Sequence, residues 1–449
     1  MTRLDVVSLK DLFDRKVLIA SFAGIFLLEG LLASWTGMPY DMKVWFQTGM
    51  WMNQGINIYI PPNHLGYPPL WALWCDASYR IFLFFGSNIE VWRFAIKLPL
   101  IFAHIALTFF VGKFAAVRFG LKTGHKVFFF VLTWSFFLFI AALWGQINVL
   151  SALLTFLAFF AVTKNRVGTS ALLLGIAVTL KIYPLIALPA FFAYVLKKFG
   201  GKQAVKFVFF TCLIPVVFTF AIFTAYGWDI LYFLRTIFYW TPVFESNPVL
   251  ILGGCMNIWS FVALFNVNMA ELWILRMIWV PVLAVGTLYW LRKPKLGDAD
   301  LNLSLISLYV LFMITYGWVS EQTFLDPLPF ILLQVLAFRP KRTSLYALVA
   351  LQILIYSFSA VNWGGFIFEP LLTRFSPGLL PLLQYSDPTT SPLNWTIRGS
   401  LGLIVSLAMG VFLLLLLEPP FLKCVFARLK NRISKSSKEV QYFNASINN

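Results

Sequence analysis

The sequence predicts an all-α protein, a polytopic bundle of about 11–13 transmembrane helices with interfacial helices in its outer loops. Two features of its composition point there: 60% of the 449 residues are hydrophobic and only 12% are charged. Soluble domains are roughly 45–50% apolar and about 25% charged. A soluble fold of this composition would leave much of its apolar surface exposed to water. A third observation is that short basic runs separate long apolar stretches. Together these features exclude a fibrous, disordered or nucleic-acid-binding chain.

Apolar stretches that could cross a membrane recur along the whole chain, although several are shorter than the roughly 20 residues that a full crossing needs. They lie near residues 17–35, 67–86, 96–117, 127–143, 147–163, 168–181, 184–198, 204–225, 271–291, 302–318, 323–338, 344–362 and 396–417. The first of them follows Lys10, Arg15 and Lys16. We therefore expect an uncleaved first helix whose N-terminus lies inside.

The charge pattern orients the chain. The net charge of +17 comes from 35 basic residues against 18 acidic ones. The basic residues gather between apolar stretches and at the end of the chain, as in cytoplasmic loops that face anionic lipid. We therefore expect residues 1–16 and the basic tail 418–449 in the cytoplasm. The three long segments without a predicted span then lie outside, at 36–66, 227–268 and 363–395.

The segment 67–86 does not fit a simple alternation of crossings. It carries Asp76 and Arg80, which are both costly in lipid. The basic loop 118–126 lies inside only if an odd number of helices crosses between residues 67 and 117. The segment is either a full span or a shorter interfacial helix, and the sequence leaves both open.

Asp41 is the most informative acidic residue, because it follows the first span directly and opens an amphipathic stretch, 41–54. A carboxylate at the start of an interfacial helix can meet a lipid headgroup without entering hydrocarbon. Aspartate is also a favoured N-cap, so Asp41 could simply cap that helix. The local sequence is compatible with both roles.

Other polar and aromatic groups lie at the predicted outer ends of helices. They are His64 and Tyr67 in the proline-rich first loop, Trp144, Gln146 and Asn148 between two apolar runs, Lys181 at a helix break, Arg235 and Trp240 in segment 227–268, and Glu321 and Gln322 at the start of a late helix. Charged residues at the edges of spans are functional candidates by default, because an unpaired charge in hydrocarbon is costly.

In their order along the chain these residues resemble the GT-C class of integral-membrane glycosyltransferases. The resemblance rests on Asp41 after the first helix, Tyr67-Pro68-Pro69, Phe85-Gly86 with Arg93, Trp144-Gly145-Gln146 and Lys181-Ile182-Tyr183-Pro184. The nearest branch is similar to the polyprenyl-phosphate-mannose-dependent α-mannosyltransferases of glycosyltransferase family 87 and their arabinofuranosyl- and glucosyl-transferring relatives. Glu321-Gln322 also resembles the acidic motif of eukaryotic members that build lipid-linked glycans.

The resemblance implies a GT-C-like catalytic region at 17–338, followed by C-terminal helices at 339–417. It implies transfer of a hexose, foremost mannose, from a polyprenyl-phosphate-linked donor to a hydroxyl of a lipid-linked or glycan acceptor. The reaction would take place at the outer membrane face, by a single displacement that inverts the anomeric configuration.

The resemblance also suggests a role for each candidate residue. Asp41 would be the general base for the acceptor hydroxyl. The negative charge of the departing phosphate would be offset by the cations Lys181, Arg235 and His64. Sugar or acceptor would be held by Tyr67, Trp144, Gln146, Asn148, Trp240, Glu321 and Gln322.

Many members of the class carry paired acidic residues in the first outer loop, whereas here Met42 and Lys43 follow Asp41. We therefore expect no cofactor and a reaction without a metal. The expected partners are the donor, the acceptor and membrane lipids, without nucleic acid, and we expect a monomer in the cell membrane. Two alternatives stay open: a transporter or flippase of lipid-linked sugars, for which inverted repeats would be expected, and a non-catalytic subunit of a glycosylation complex.

Overall fold

The computed structural model describes residues 14–60, 65–238, 255–260, 277–317, 319–363, 365–381 and 392–418. Within these ranges the chain forms 17 α-helices and no strand, which confirms the predicted all-α class. The helices are α1 (Arg15–Trp35), α2 (Pro39–Asn53), α3 (Leu70–Phe84), α4 (Ile89–Phe119), α5 (Leu121–Thr133), α6 (Ser135–Leu138), α7 (Asn148–Thr163), α8 (Val167–Leu180), α9 (Leu188–Phe199), α10 (Gly201–Tyr226), α11 (Ile230–Phe238), α12 (Trp279–Arg292), α13 (Asp298–Thr315), α14 (Leu328–Leu333), α15 (Arg342–Trp363), α16 (Glu369–Phe375) and α17 (Pro392–Leu417).

Short turns of 3₁₀- or π-helix extend or connect several of these helices. The 3₁₀ turns are Tyr183–Ala187, Ile258–Ser260, Glu321–Leu325, Phe366–Phe368 and Pro377–Leu379, and the π turns are Phe139–Trp144 and Gln334–Phe338. Isolated π turns are rare and frequently lie at functional sites. The first π turn continues α6 and ends where the predicted polar motif begins.

Six of the described helices are long and apolar enough to cross a membrane, and they make this a multi-pass membrane protein. They are α1, α4, α10, α13, α15 and α17. A seventh crossing is formed if α5 and the segment Ser135–Trp144, which are bent by 40° at their junction, count as one span. Shorter apolar helices lie at Asn148–Thr163, Val167–Leu180 and Leu328–Phe338. The count of about 11–13 crossings, which includes such shorter segments, stays a prediction.

In the structure the segment 67–86 contains one short helix, which favours the interfacial alternative left open by the sequence. Helix α3 has 15 residues, a length of about 22 Å, whereas the hydrocarbon core is about 30 Å thick. Its two charges pair with each other, with Arg80 Nε 3.1 Å from Asp76 Oδ2. Of the described helices between residues 67 and 117, only α4 is long enough to cross. One crossing is the odd number that a cytoplasmic loop 118–126 requires.

Helix α4 organises the half of the molecule that carries the candidate site. It begins after Asn88, whose side chain accepts a hydrogen bond from Val91 N at 3.0 Å, and it ends at Gly120. Helices α1, α3, α5 and α7 all pack against it. The C-terminal end of α1, the first π turn and the start of α2 therefore meet on one side of α4.

Candidate functional site

Asp41 lies in the first turn of α2, but it is not the N-cap. The helix begins at Pro39 after the N-cap Met38, because proline fits the first helical turn, where its missing N–H is not needed. The expectation that α2 begins at Asp41 is therefore wrong. The Asp41 carboxylate instead accepts a hydrogen bond from Trp144 Nε1, with Oδ2 2.6 Å away.

The first π turn sets the direction in which Trp144 and Gln146 point. It ends at Gly145, whose φ of +90° lies in the left-handed region that favours glycine. A Cβ atom at Gly145 would lie 2.7 Å from Met42 Cε and 2.8 Å from Lys97 Cε. Only glycine fits this position, so the chain can turn here and bring Trp144 against Asp41.

Gln146 supplies an amide to the same site. Its side chain is fully buried, and neither its oxygen nor its nitrogen has a hydrogen-bond partner in the structure. Buried amides are normally hydrogen-bonded, so an unpartnered one is available to a ligand. The Gln146 amide lies close enough to Asp41 and Tyr67 to lower the pKa of both side chains.

Removal from water dominates the electrostatics of Asp41. Burial raises the pKa of its carboxyl group above the ordinary value of 3.8, against the opposing effects of the Trp144 hydrogen bond, the nearby Gln146 amide and the Lys181 charge. Burial and the Asp41 charge also raise the pKa of Tyr67 above 10, so this phenol stays protonated. Both side chains keep part of their surface exposed and can be reached by a substrate.

Lys181 is the cation of the cluster. It follows the last residue of α8 and is buried, and its Nζ donates a hydrogen bond to Asn148 Oδ1 at 2.8 Å. Its ammonium group lies 5.5 Å from the centre of the Tyr67 ring and 4.7 Å from that of Tyr183. The Asp41 charge also acts on Lys181. A base and a cation therefore share one cluster.

Two residues that were not predicted as site residues hold Asn148 and Lys181 in place. Asp326 is buried, and its Oδ2 accepts a hydrogen bond from Asn148 Nδ2 at 2.7 Å. Its Oδ1 accepts one from Ser151 Oγ. Ser151 lies one helical turn after Asn148, a spacing that could have indicated a shared face of α7. The pairing with Asp326 has no such local signal.

The structure brings together six of the predicted site residues, which are Asp41, Tyr67, Trp144, Gln146, Asn148 and Lys181. Glu321 is fully buried at the start of a 3₁₀ turn, where its charge acts on Cys255, and Gln322 is half-buried beside it. Both lie in the turn that leads to Asp326. His64 and Trp240 lie outside the described residues, as does the side chain of Arg235 in α11.

An apolar cavity of about 310 Å³ adjoins the cluster. It is lined by Leu70, Trp71, Leu73, Trp74, Pro99, Leu150 and Leu180. Leu180 immediately precedes Lys181, and Leu150 lies two residues after Asn148. The lining therefore includes residues close in the chain to Asn148 and Lys181, and its apolar walls suit a hydrocarbon chain.

This arrangement can support displacement at a sugar carbon. It offers a carboxylate with a raised pKa, a cation, an unpartnered amide and aromatic rings within one cluster. Among the described residues, no group of three His, Cys, Asp or Glu side chains could hold a metal ion. Metal independence remains a prediction.

A comparison with protein families identifies a relative of this chain. The model described as Glycosyltransferase family 87 matches residues 81–316, which is more than half of the chain. The matched range contains Trp144, Gln146, Asn148 and Lys181, whereas Asp41 lies before it. A comparison with curated proteins finds no match.

Proposed function

This chain belongs to glycosyltransferase family 87 and is a membrane glycosyltransferase, and we propose that its donor is a polyprenyl-phosphate-linked hexose. Mannose is the foremost candidate for the sugar. The acceptor is a hydroxyl of a lipid-linked or glycan molecule at the outer membrane face. The observation that carries this proposal is the placement of Asp41 and Lys181 in one cluster, because transfer from a phosphate needs a base and a cation together.

In the proposed reaction Asp41 takes the proton of the acceptor hydroxyl. The hydroxyl oxygen forms a bond to the anomeric carbon while the bond from that carbon to the phosphate oxygen breaks. The polyprenyl phosphate leaves with the bonding electron pair, and attack from the opposite face inverts the configuration. The Trp144 hydrogen bond holds the carboxylate in one orientation during these steps.

Lys181 is placed to receive the phosphate. The leaving group gains negative charge as its bond breaks, and an ammonium group already fixed by Asn148 can offset that charge without moving. The neighbouring cavity is apolar and supports a lipid-linked donor over a nucleotide sugar. Arg235 and His64 remain candidates for further phosphate contacts.

The sugar has polar and aromatic partners in the same cluster. The unpartnered amide of Gln146 can exchange hydrogen bonds with sugar hydroxyls, and Tyr67 can donate one because its phenol stays protonated. Trp144 offers an aromatic ring at the same place. Contacts from Trp240, Glu321 and Gln322 to the sugar or acceptor remain proposals.

Replacement of Asp41 by asparagine tests the proposed base. Asp41→Asn retains the size of the side chain and an oxygen that can accept from Trp144, so the protein should fold. It removes the proton acceptor, so sugar transfer should slow by roughly 10²–10⁴-fold. The measurement uses purified protein in vesicles with radiolabelled polyprenyl-phosphate mannose, glucose and arabinose, and counts transfer and hydrolysis.

The matched control is Asp14→Asn, which makes the same change at the N-cap of α1, where Asp14 accepts from Lys16 N at 2.9 Å. Because asparagine caps about as well as aspartate, this variant should transfer sugar at the wild-type rate. Near wild-type turnover of Asp41→Asn would exclude Asp41 as the base and direct attention to Glu321 or Asp229. Uptake of lipid-linked sugar across the vesicle membrane without transfer would favour a flippase.

A further inference from the structure

Lys97 is a buried cation in the membrane-spanning helix α4, and its hydrogen bonds go to oxygens that carry no formal charge. It has no exposed surface. Its Nζ lies 3.2 Å from Ala33 O, 2.7 Å from Thr36 O, 3.4 Å from Thr36 Oγ1, 2.7 Å from Ala142 O and 3.5 Å from Leu143 O. Among the described residues no carboxylate forms an ion pair with it. Such a residue is expected to have a specific role, because an ionisable side chain inside a membrane is costly.

The acceptors of Lys97 belong to the ends of two helical segments. Ala33 and Thr36 lie at the C-terminal end of α1, and Ala142 and Leu143 lie near the end of the first π turn. The last carbonyls of a helix have no partner within the helix, and a cation there is favourable. One ammonium group therefore holds two helix ends side by side.

Both helix ends lead directly into the candidate site. The chain runs from Thr36 to Asp41 within five residues, and Trp144 immediately follows Leu143. The two segments also contact each other, since Met38 N donates to Trp144 O at 3.2 Å. The single hydroxyl hydrogen of Thr36 is shared between Leu32 O at 2.6 Å and Ala142 O at 3.1 Å. The carbonyl groups that Lys97 contacts therefore lie in the two segments whose separation determines the distance between Asp41 and Trp144.

The space around Lys97 is filled on both sides. A Cβ atom at Gly145 would lie 2.8 Å from Lys97 Cε, and one at Gly37 would lie 2.6 Å from Met42 Cγ. These glycines let the two backbones approach the lysine and each other closely. A small shift of either helix end would therefore be transmitted to Asp41 or Trp144, because close-packed groups transmit strain.

We propose that Lys97 is a positioning residue for sugar transfer, which joins the ends of α1 and the first π turn so that Trp144 meets the Asp41 carboxylate. This inference rests on the proposed role of Asp41 as the base. Lys97 touches neither the donor nor the acceptor, so it acts on the rate of the chemical step and leaves donor binding to Lys181.

Lys97→Met tests the proposal, because methionine is similar in length and carries no charge. We expect kcat to fall by about 10- to 100-fold, as for a misplaced catalytic group, with the donor KM unchanged within about threefold. Hydrogen exchange should become faster at residues 33–45 and 139–148. The matched control, Lys113→Met, makes the same change in α4 at a side chain that faces Phe109, and should be unaffected.

Thr36→Val provides a milder variant in case Lys97→Met does not fold. It retains the shape of the side chain and removes the hydroxyl, which contacts Leu32 O in its own helix and Ala142 O across the junction, so kcat should fall by roughly fivefold at constant donor KM. Its control is Thr287→Val, which removes a hydroxyl bound to Leu283 O within α12.

A double-mutant cycle separates positioning from a loss of stability. Trp144→Phe removes the hydrogen bond to Asp41, so Lys97→Met or Thr36→Val should cost little further activity in that background. Additive losses, or wild-type kcat in folded Lys97→Met and Thr36→Val, would overturn the inference. If Asp41→Asn itself kept full activity, the proposed function would fail instead, and the two failures are therefore distinguishable.

Discussion

At the level of single residues, opposing effects act on the Asp41 carboxyl group. Removal from water raises its pKa, whereas the hydrogen bond from Trp144, the nearby Gln146 amide and the charge of Lys181 lower it, and the effect of burial is the larger. A raised pKa makes the carboxylate a stronger base toward a sugar hydroxyl. The hydrogen bond from Trp144 and the charge of Lys181 oppose that rise, because both favour the ionised form.

Trp144→Phe should move the acidic limb of the pH–rate profile to higher pH. Asp41 acts as a base only when it is deprotonated, so the rate should rise with pH as the pH passes through its raised pKa. The Trp144 hydrogen bond favours the charged form, so its loss should raise the pKa further. The measurement is kcat/KM against pH.

Trp134→Phe is the control for this experiment, because it removes an indole hydrogen bond of 2.7 Å to Gln352 Oε1, away from Asp41. It should leave the profile in place. A limb that stays at its wild-type pH in Trp144→Phe, or moves to lower pH, would contradict the assignment of that limb to Asp41.

Lys181 lies in a short chain of polar contacts that ends at Asp326. Lys181 donates to Asn148, which donates to Asp326, and Ser151 donates to the other oxygen of this carboxylate. These contacts fix the ammonium group in the place where the proposed donor phosphate arrives. They also mean that Asp326 would lose a nearby cation if Lys181 were replaced, and a buried carboxylate without a cation is destabilising.

Lys181→Met should therefore lower both the thermal stability of the protein and its use of the donor. Adding Asp326→Asn to this variant should restore the stability but not the donor use. We expect the double variant Lys181→Met/Asp326→Asn to melt close to the wild type but to keep a donor KM raised about tenfold or more, since the phosphate lacks its cation. The exposed Lys202→Met is the control. A wild-type donor KM in the double variant would show that Lys181 is only a counter-ion of Asp326.

At the level of secondary structure, two short helices, α2 and α3, support the site. Helix α2 carries Asp41 in its first turn and lies against α3. They approach each other closely at Gly49, where a Cβ atom would lie 2.3 Å from the carbonyl oxygen of Cys75. Trp45, from the same helix, packs at 5.6 Å on Trp71 of α3, which in turn lines the apolar cavity.

Gly49→Ala should push α2 away from α3 and displace Asp41. Overpacking of this kind usually destabilises by about 1–3 kcal/mol, and here the contacted atom is backbone, which cannot move aside as a side chain does. Thermal unfolding in detergent and sugar transfer measure the effect. Gly24→Ala in α1 is the matched control, because nothing lies within 4 Å of its added Cβ atom and alanine favours a helix. Equal stability of the two variants would argue against the close α2–α3 contact.

For the whole molecule, the predicted orientation places the site at the outer membrane face. The structure adds one consistent feature, since α3 is too short to cross and the basic loop 118–126 can then lie on the same side as the N-terminus. The N-terminal basic residues lie at the start of α1, and Asp41 follows the other end of that helix. Likewise, the basic loop lies at the start of the bent segment 121–144, and Trp144 lies at its other end. The orientation of the termini and of the active site remains a prediction.

Cysteine labelling on intact cells would test this orientation. In a chain whose four cysteines have been replaced, an impermeant maleimide should label Gln54→Cys in the first outer loop, because this side chain is exposed. It should not label Lys202→Cys or Ser437→Cys unless the cells are permeabilised. Labelling of either of these two, with position 54 protected, would reverse the predicted topology.

The amino-acid sequence by itself determined the class of the protein and most of the candidate residues. Hydrophobicity and charge are summed along the chain, so a membrane-embedded all-α bundle follows from composition and from the spacing of basic runs. Asp41, Trp144 and Lys181 stand out for a similar reason, because each polar or aromatic group interrupts an apolar stretch at a helix end. Their order along the chain was sufficient to suggest the family.

Only the tertiary structure decided which of these residues meet. Asp41 and Trp144 are 103 positions apart, and Asn148 and Asp326 are 178 apart, so no local pattern could have paired them. Local sequence was also compatible with Asp41 as a helix cap, whereas the helix begins earlier at Pro39 and leaves the carboxylate free to accept from Trp144. Lys97 could not have been predicted as a positioning residue for the same reason. The sequence does not distinguish a buried lysine from an interfacial one, because only tertiary packing brings the two helix ends around it.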